Sequence, residues 1–172
     1  RGPCFPHMRT LAYLAVLLLG AVAVMYMVGR ALPVAHLASR GQRFDAPLDS
    51  VWRLIADVGT YASWRTGLSR VELLTPLNGR TAWREYTRRG GVDYVAEEMV
   101  EGELFVARIT TTGLPYGGRW RYELNPDTGG TRVTITEEGE IYNPIFRCLM
   151  KYVIGETRSI EAVLDAIDKG LS

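Results

Sequence analysis

The segment 143–170 constrains the fold of this chain more than any other, because its apolar residues recur at helical spacing. These residues are Phe146, Leu149, Met150, Val153, Ile160, Val163, Leu164 and Ile167. Asn143 followed by Pro144 is typical of a helix start, since asparagine caps free backbone N–H groups and proline has none to leave unpaired. Gly170 is typical of a helix end. One apolar stripe on a long helix must be covered, so the preceding segments must supply the covering surface.

Six segments ahead of this helix have the composition of β-strands separated by short glycine-containing turns. They are 71–74, 81–88, 92–100, 104–111, 119–124 and 132–138. Short turns without intervening helices predict an antiparallel meander. A further extended stretch at 39–45 and two short helices at 47–55 and 61–66 precede it. The sequence therefore predicts an α+β domain over residues 39–172, in which a curved sheet surrounds one long helix.

Residues 11–28 form an apolar run without a single charge. About eighteen residues at a rise of 1.5 Å nearly cross a hydrocarbon layer of about 30 Å. We therefore predict a tail at 1–8, a single transmembrane anchor at 9–30 and a linker at 31–38. The competing interpretation is a cleaved signal peptide, although the apolar region of such peptides usually spans only about 7–15 residues.

The arginines that flank the apolar run give a small preference for one orientation. Arg1 and Arg9 precede it, whereas Arg30, Arg40 and Arg43 follow it. Because positive charge is enriched on the cytoplasmic side, the count favours a cytoplasmic domain by one charge.

The charge balance excludes a nucleic-acid binder. Beyond residue 30 the chain carries 17 basic and 19 acidic residues, whereas nucleic-acid binders present basic patches. The two histidines, His7 and His36, flank the anchor and are expected outside the folded domain, so no Ser–His or Cys–His nucleophile pair is expected. We predict no metal, no cofactor and no catalytic residue.

The order of elements and several short motifs resemble the START-like superfamily, which includes the polyketide cyclase/dehydrase and lipid-transport group. The motifs are Phe44-Asp45-Ala46-Pro47, Ala56-Asp57-Val58 with Trp64, Trp120-Arg121-Tyr122-Glu123-Leu124, Gly130-Thr131-Arg132-Val133-Thr134 and Tyr142-Asn143-Pro144. The resemblance implies a helix-grip fold: a curved antiparallel sheet of seven strands around the C-terminal helix, with an apolar cavity between them.

Three functions fit such a protein. The preferred one is a membrane-anchored binder or carrier of a hydrophobic small molecule or lipid. The first alternative is a cyclase/dehydrase-like enzyme that uses a buried carboxylate or tyrosine. The second is an interaction module whose cavity has collapsed.

Alternation along the strands selects candidate ligand-binding residues, because one side-chain parity faces the helix. The candidates are Tyr94, Phe105, Arg108, Trp120, Tyr122, Val133, Ile135, Glu137, Met150 and Val153. For Phe105, Trp120 and Tyr122, plain core packing is favoured over ligand contact. For Arg108 and Glu137 there are two hypotheses: a polar pair that holds the polar head of a hydrophobic ligand, or strand-end charges that reach solvent. Gly155 marks either a kink at the cavity mouth or a glycine tolerated in a straight helix.

Overall fold

The fold is built on one antiparallel sheet of seven strands, as predicted. A computed structural model describes residues 6–172, with side chains from residue 9 onward, so most of the predicted tail at 1–8 lies outside the described residues. The strands are β1 (Ala35–Phe44), β2 (Arg70–Leu77), β3 (Arg80–Thr87), β4 (Gly90–Val100), β5 (Leu104–Ile109), β6 (Tyr116–Asp127) and β7 (Gly130–Ile141). Their spatial order is β1-β7-β6-β5-β4-β3-β2.

The helices lie before, between and after these strands. They are α1 (Pro6–Ala31), α2 (Leu48–Ala56), α3 (Tyr61–Trp64), α4 (Pro144–Leu149) and α5 (Arg158–Leu171). A short 3₁₀ turn (Val58–Thr60) precedes α3, and a π-helical turn (Met150–Ile154) follows α4. By length and composition alone, residues 9–31 of α1 are apolar and long enough to cross a membrane.

One face of the sheet carries the core. Tyr122 and Leu124 on β6 and Val133 and Ile135 on β7 are buried there, which confirms the predicted parity of both strands. The alternation left β5 ambiguous, and burial resolves it: Phe105 has no exposed surface and belongs to this core. Helix α5 carries five buried aliphatic side chains, Ile160, Val163, Leu164, Ala166 and Ile167.

The prediction of a single C-terminal helix is wrong in one respect. The segment forms two helices, α4 and α5, with a break between them. The start is as expected: the Asn143 side chain accepts a hydrogen bond of 3.1 Å from the backbone N–H of Phe146. The π-helical turn then ends at Gly155, whose φ of +94° lies in the left-handed region that only glycine adopts without strain. The apolar periodicity continues through this break, so it could not reveal the change of direction.

The first strand begins earlier than the sequence suggested. Its pairing with β7 starts at Ala35 opposite Glu140, so the second half of the predicted linker at 31–38 is strand. The prediction that His36 lies outside the folded domain is therefore wrong. Hydropathy alternation does not mark this stretch, because the outward-facing Leu37 is apolar and 70% exposed, whereas the inward-facing neighbour His36 is polar.

We predict that Gly155→Ala lowers the free energy of unfolding by about 1–3 kcal/mol, the cost of holding an alanine in a conformation reserved for glycine. Gly59→Ala is the control, because Gly59 has no positive φ and an added Cβ would meet only Asp57 Oδ1 at 3.4 Å. Chemical denaturation measures both. A stabilised Gly155→Ala variant would instead indicate a continuous helix, where alanine is better than glycine by about 1 kcal/mol.

Candidate ligand-binding cavity

A cavity of about 480 Å³ lies between the sheet and the break in the C-terminal helices. Its wall combines strand residues with Phe146 on α4, Met150 and Ile154 on the π-helical turn and Ser159 on α5, so the two helices and the break between them close one side of it. Seven aromatic side chains line it together with several charged ones; the aromatic residues are Tyr61, Trp83, Tyr94, Tyr116, Trp120, Tyr122 and Phe146. Pockets of this size and character are typical of small-molecule sites.

Five of the ten predicted site residues line this cavity. They are Tyr94, Trp120, Tyr122, Glu137 and Met150. Phe105, Val133 and Ile135 are fully buried in the core beneath it and do not reach the cavity wall. Val153 lies on the π-helical turn with 75% of its surface exposed to the outside. The role of the five lining residues in binding stays a prediction.

The predicted pair of Arg108 and Glu137 is wrong. Arg108 lies on the opposite face of the sheet, where its Nε donates a hydrogen bond of 2.8 Å to Glu97 Oε1. The reason is parity: the neighbouring Ala107 faces the cavity, so Arg108 must face away. Arg119 joins the same external network through Glu97 and Glu138.

A buried ion pair that sequence reasoning missed lies in the cavity wall. Arg65 Nη1 is 2.8 Å from Glu85 Oε1, and Glu85 is only 4% exposed. The same oxygen accepts a 3.0 Å hydrogen bond from Trp83 Nε1. The Arg65 guanidinium also lies over the Tyr61 ring, 4.8 Å from its centroid. Burial disfavours the charge of Arg65, but attraction to Glu85 and its other neighbours outweighs this and raises its pKa.

The alternation of side chains along β3 could have predicted that one member of this pair, Glu85, points inward. Trp83 and Glu85 share one parity of β3, so a buried tryptophan predicts an inward glutamate. Arg65 follows the short helix α3 and carries no periodic signal, so its approach to Glu85 depends on tertiary structure.

Two tyrosine hydroxyl groups in the cavity wall have no hydrogen-bond partner within the described part of the chain. They belong to Tyr94, whose ring stacks on Trp83 at a centroid distance of 5.5 Å, and to Tyr122. Burial raises the pKa of Tyr122 to about 12 and raises that of Tyr94 as well. Both hydroxyls are therefore protonated at neutral pH and can donate hydrogen bonds to a ligand.

A second polar cluster joins β1, β7 and α5. His36 Nε2 lies 3.7 Å from Glu137 Oε1, which is an ion-pair distance but longer than a hydrogen bond. The hydroxyl of Ser159 donates to the other oxygen of Glu137 at 2.7 Å. The His36 ring lies directly against Gly139, in the space that a Cβ would fill. Glu137 raises the pKa of His36 although burial acts in the opposite direction.

The site holds no candidate metal centre. Among residues 6–172, no group of three or more histidine, cysteine, aspartate and glutamate side chains could hold a metal ion.

The helix-grip fold and its partly unfilled aromatic core define a START-like protein with a ligand cavity. The chain belongs to the family described as "Polyketide cyclase / dehydrase and lipid transport", whose profile matches residues 36–169. No curated protein matches its sequence.

Three solved structures have a similar fold. An aromatase/cyclase from Streptomyces sp. R1128 is 17% identical with a TM-score of 0.65, over 80% of this chain and 93% of that one. A START superfamily protein from Mycobacterium smegmatis is 14% identical with a TM-score of 0.62, over 79% and 97%. Norcoclaurine synthase from Thalictrum flavum is 13% identical with a TM-score of 0.62, over 80% and 94%. At these identities the likeness shows the fold alone.

We predict that Arg65→Met lowers the free energy of unfolding by about 3–5 kcal/mol, because it leaves the Glu85 carboxylate buried without a cationic partner and with only the Trp83 hydrogen bond. Arg40→Met is the matched control: Arg40 pairs with Glu161 at 3.5 Å, but both side chains are about half exposed, so the expected loss is below about 1 kcal/mol. Adding Glu85→Gln to Arg65→Met should recover part of the loss. Equal losses in the two single variants would contradict the prediction.

The raised pKa of His36 predicts a stability that depends on pH. Because the folded chain binds this proton more tightly than the unfolded chain, the contribution of His36 is complete below its ordinary pKa of 6.5 and is lost as the pH rises through the raised value. The difference in unfolding free energy between the wild type and His36→Gln should therefore shrink from about pH 5 to about pH 8.

Other charged groups near His36 need a control. Glu156 raises its pKa and Lys151 lowers it, but Glu137 has the largest effect. In a Glu137→Gln background, His36→Gln should therefore change the pH dependence much less. An equally large effect in that background would assign the shift to other groups.

Proposed function

We propose that the protein binds a hydrophobic small molecule or lipid in this cavity and that α1 holds it at a membrane. The observation that carries the proposal is the cavity itself, a volume of about 480 Å³ with aromatic walls inside an otherwise buried core. An empty space of this size forfeits packing contacts, which a bound apolar molecule would restore. This volume also counts against the interaction module with a collapsed cavity.

The polar groups in the wall indicate what else the ligand carries. The free hydroxyls of Tyr94 and Tyr122 are donors in a wall that is largely apolar and aromatic but also carries Arg65 and Glu85. A pocket of this kind orients its ligand through a small number of placed polar groups. The proposed ligand is therefore a largely apolar molecule with at least one oxygen that accepts a hydrogen bond.

The exposed surface of α1 supports its insertion into a membrane. The most apolar stretch of 18 residues within 9–31 has no residue buried against the rest of the protein. Leu14, Leu17 and Val24 are each more than half exposed, and a patch of this extent is typical of a membrane-contacting surface. The flanking arginines favour a cytoplasmic position of the domain.

The packing at the end of α1 supports a retained anchor over a cleaved signal. Gly29 is buried because it lies against the backbone of Pro144 at the start of α4. Arg147 on α4 donates a 3.0 Å hydrogen bond from Nη1 to the carbonyl oxygen of Leu32. Removal of α1 would expose this surface of α4.

A second candidate function is proton-transfer catalysis of the cyclase/dehydrase kind. The observation that favours it is the buried carboxylate of Glu85, which has an electrostatic effect on the pKa of both Tyr94 and Tyr122. Turnover in D₂O would place deuterium on a carbon of the recovered ligand, and Glu85→Gln would abolish this incorporation. A ligand recovered without deuterium would leave the binder as the function.

Native mass spectrometry of the full chain, extracted in mild detergent, tests the binding proposal. We expect a defined additional mass that disappears on denaturation and that identifies the ligand class. A bare chain that also takes up nothing from a lipid extract would contradict the proposal.

We predict that Trp120→Ala weakens retention of this ligand about tenfold, since it removes a large aromatic wall and tenfold corresponds to about 1.4 kcal/mol. Arg121→Ala is the matched control, because the adjacent side chain points outward and pairs with Glu123 at 3.2 Å. The fraction of ligand-bound chain during dilution measures both variants. Equal retention in the two variants would show that Trp120 does not contact the ligand.

A further inference from the structure

We propose that the segment 143–154, which comprises α4 and the π-helical turn, lies in the interfacial layer of the bilayer, held there by its packing against α1. We call it the interfacial segment. The inference rests on the proposed membrane attachment of α1 and adds a second contact, made by the wall of the cavity. The partner is a lipid bilayer, and the mouth of the cavity then faces it.

The first argument is one of depth along α1. Gly29 is two residues before the end of the helix and Met25 is six before it, which at 1.5 Å per residue places them about 3 Å and 9 Å from that end. Gly29 touches the backbone of Pro144, and Met25 and Leu32 are part-buried along the same face. If α1 spans the hydrocarbon layer, α4 lies beside its last turns and cannot lie in bulk water.

The second argument is the rigidity of this contact. An added Cβ on Gly29 would overlap the carbonyl group of Pro144, so the two backbones are in direct contact. Arg147 binds the carbonyl of Leu32, one residue beyond the helix end, where cations are favoured. The domain is therefore not connected to α1 by a flexible tether at this point.

The third argument is the surface of the interfacial segment itself. Tyr152 and Val153 on the π-helical turn are 66% and 75% exposed, and Tyr142 just before α4 is 50% exposed. Arg147 and Lys151 are the only charged residues of the segment. Apolar and tyrosine side chains with nearby cations are typical of elements that lie among lipid head groups.

The interfacial segment is also part of the cavity wall. Phe146, Met150 and Ile154 line the cavity from this side. Ile154 is 38% exposed as well, so it marks a place where the cavity meets the outer surface. An apolar ligand would therefore reach the cavity from the bilayer without crossing bulk water.

The test uses the full chain with its native cysteines replaced (Cys4→Ser, Cys148→Ala) and one NBD fluorophore on a new cysteine. The three sites are Val153→Cys in the interfacial segment, Ala21→Cys in the middle of α1 and Thr128→Cys in the β6–β7 turn. That turn is at the far end of strands twelve residues long, about 40 Å away. The labelled proteins are reconstituted in vesicles of phosphatidylcholine and phosphatidylglycerol, with and without nitroxide-labelled phosphatidylcholine.

We expect the labels at 153 and 21 to lose most of their emission in nitroxide vesicles and the label at 128 to lose none. Loss at 21 without loss at 153 would overturn the interfacial docking while leaving the anchor intact. No loss at 21 would refute the membrane attachment on which the inference rests. A blue shift at 153 that depends on protein concentration in detergent, without nitroxide quenching, would assign the surface to a second copy of the chain and overturn the proposal.

A pair of glycine variants tests whether α1 holds the segment in place. Gly29→Leu would push α4 away and should abolish most of the quenching at 153 while leaving that at 21 unchanged. Gly20→Leu is the matched control on the same helix, because no atom lies within 4 Å of the position of its Cβ. Full quenching at 153 in Gly29→Leu would show that the segment is not held by α1 and would overturn the proposal.

Discussion

The left-handed backbone at Gly155 is the constraint on which the cavity depends. A continuous helix would have laid one apolar stripe along the sheet. The break at Gly155 instead separates α5, which carries five buried side chains, from α4 and the π-helical turn, which carry none. The cavity has side chains on its walls but none at its centre, which costs dispersion energy. A ligand that fills it stabilises the folded state by RT ln(1 + [L]/Kd), which rises with the logarithm of the ligand concentration. Binding and folding stability are therefore coupled in this architecture.

The two carboxylates Glu85 and Glu137 in the cavity wall are tolerated because each has partners. Glu85 is compensated by Arg65 and Trp83, and Glu137 by Ser159 and His36. A lone buried charge would be prohibitively costly, so these contacts allow polar chemistry inside an apolar wall. The two clusters lie on β3 and β7, which are four strand spacings or roughly 19 Å apart along the sheet. Aromatic side chains lie between them, and Arg89, Glu140 and Arg158 add further charged groups to the cavity lining.

Much of the fold could be predicted from the sequence, because strand parity and turn glycines are local signals. Alternation predicts the cavity side for Trp120, Tyr122 and Glu137 for this reason.

The predicted inward orientation of Arg108 is wrong because β5 is apolar on both faces, so alternation could not determine which way this side chain points. The position of His36 inside the folded domain could not be predicted, because the start of β1 is defined by its pairing with β7, which is distant in the sequence. The Arg65–Glu85 pair joins residues from a short helix and a strand, and no periodicity links them. Predictable features were local in the chain, and the missed ones depend on tertiary contacts.

The proposed attachment and the proposed cavity strengthen one another for a physical reason. A ligand hydrophobic enough to prefer an aromatic pocket is scarce in water and concentrated in lipid, so a soluble binder would depend on its low aqueous concentration. A cavity held at the bilayer surface takes up ligand at the higher concentration that the ligand has within the membrane. This raises the effective ligand concentration without any additional protein–ligand contact. The close packing of Gly29 on Pro144 then has a functional meaning, because a long flexible linker would forfeit the fixed position of the cavity mouth. In this view the residues that join α1 to α4 contribute to ligand uptake as directly as those that line the cavity.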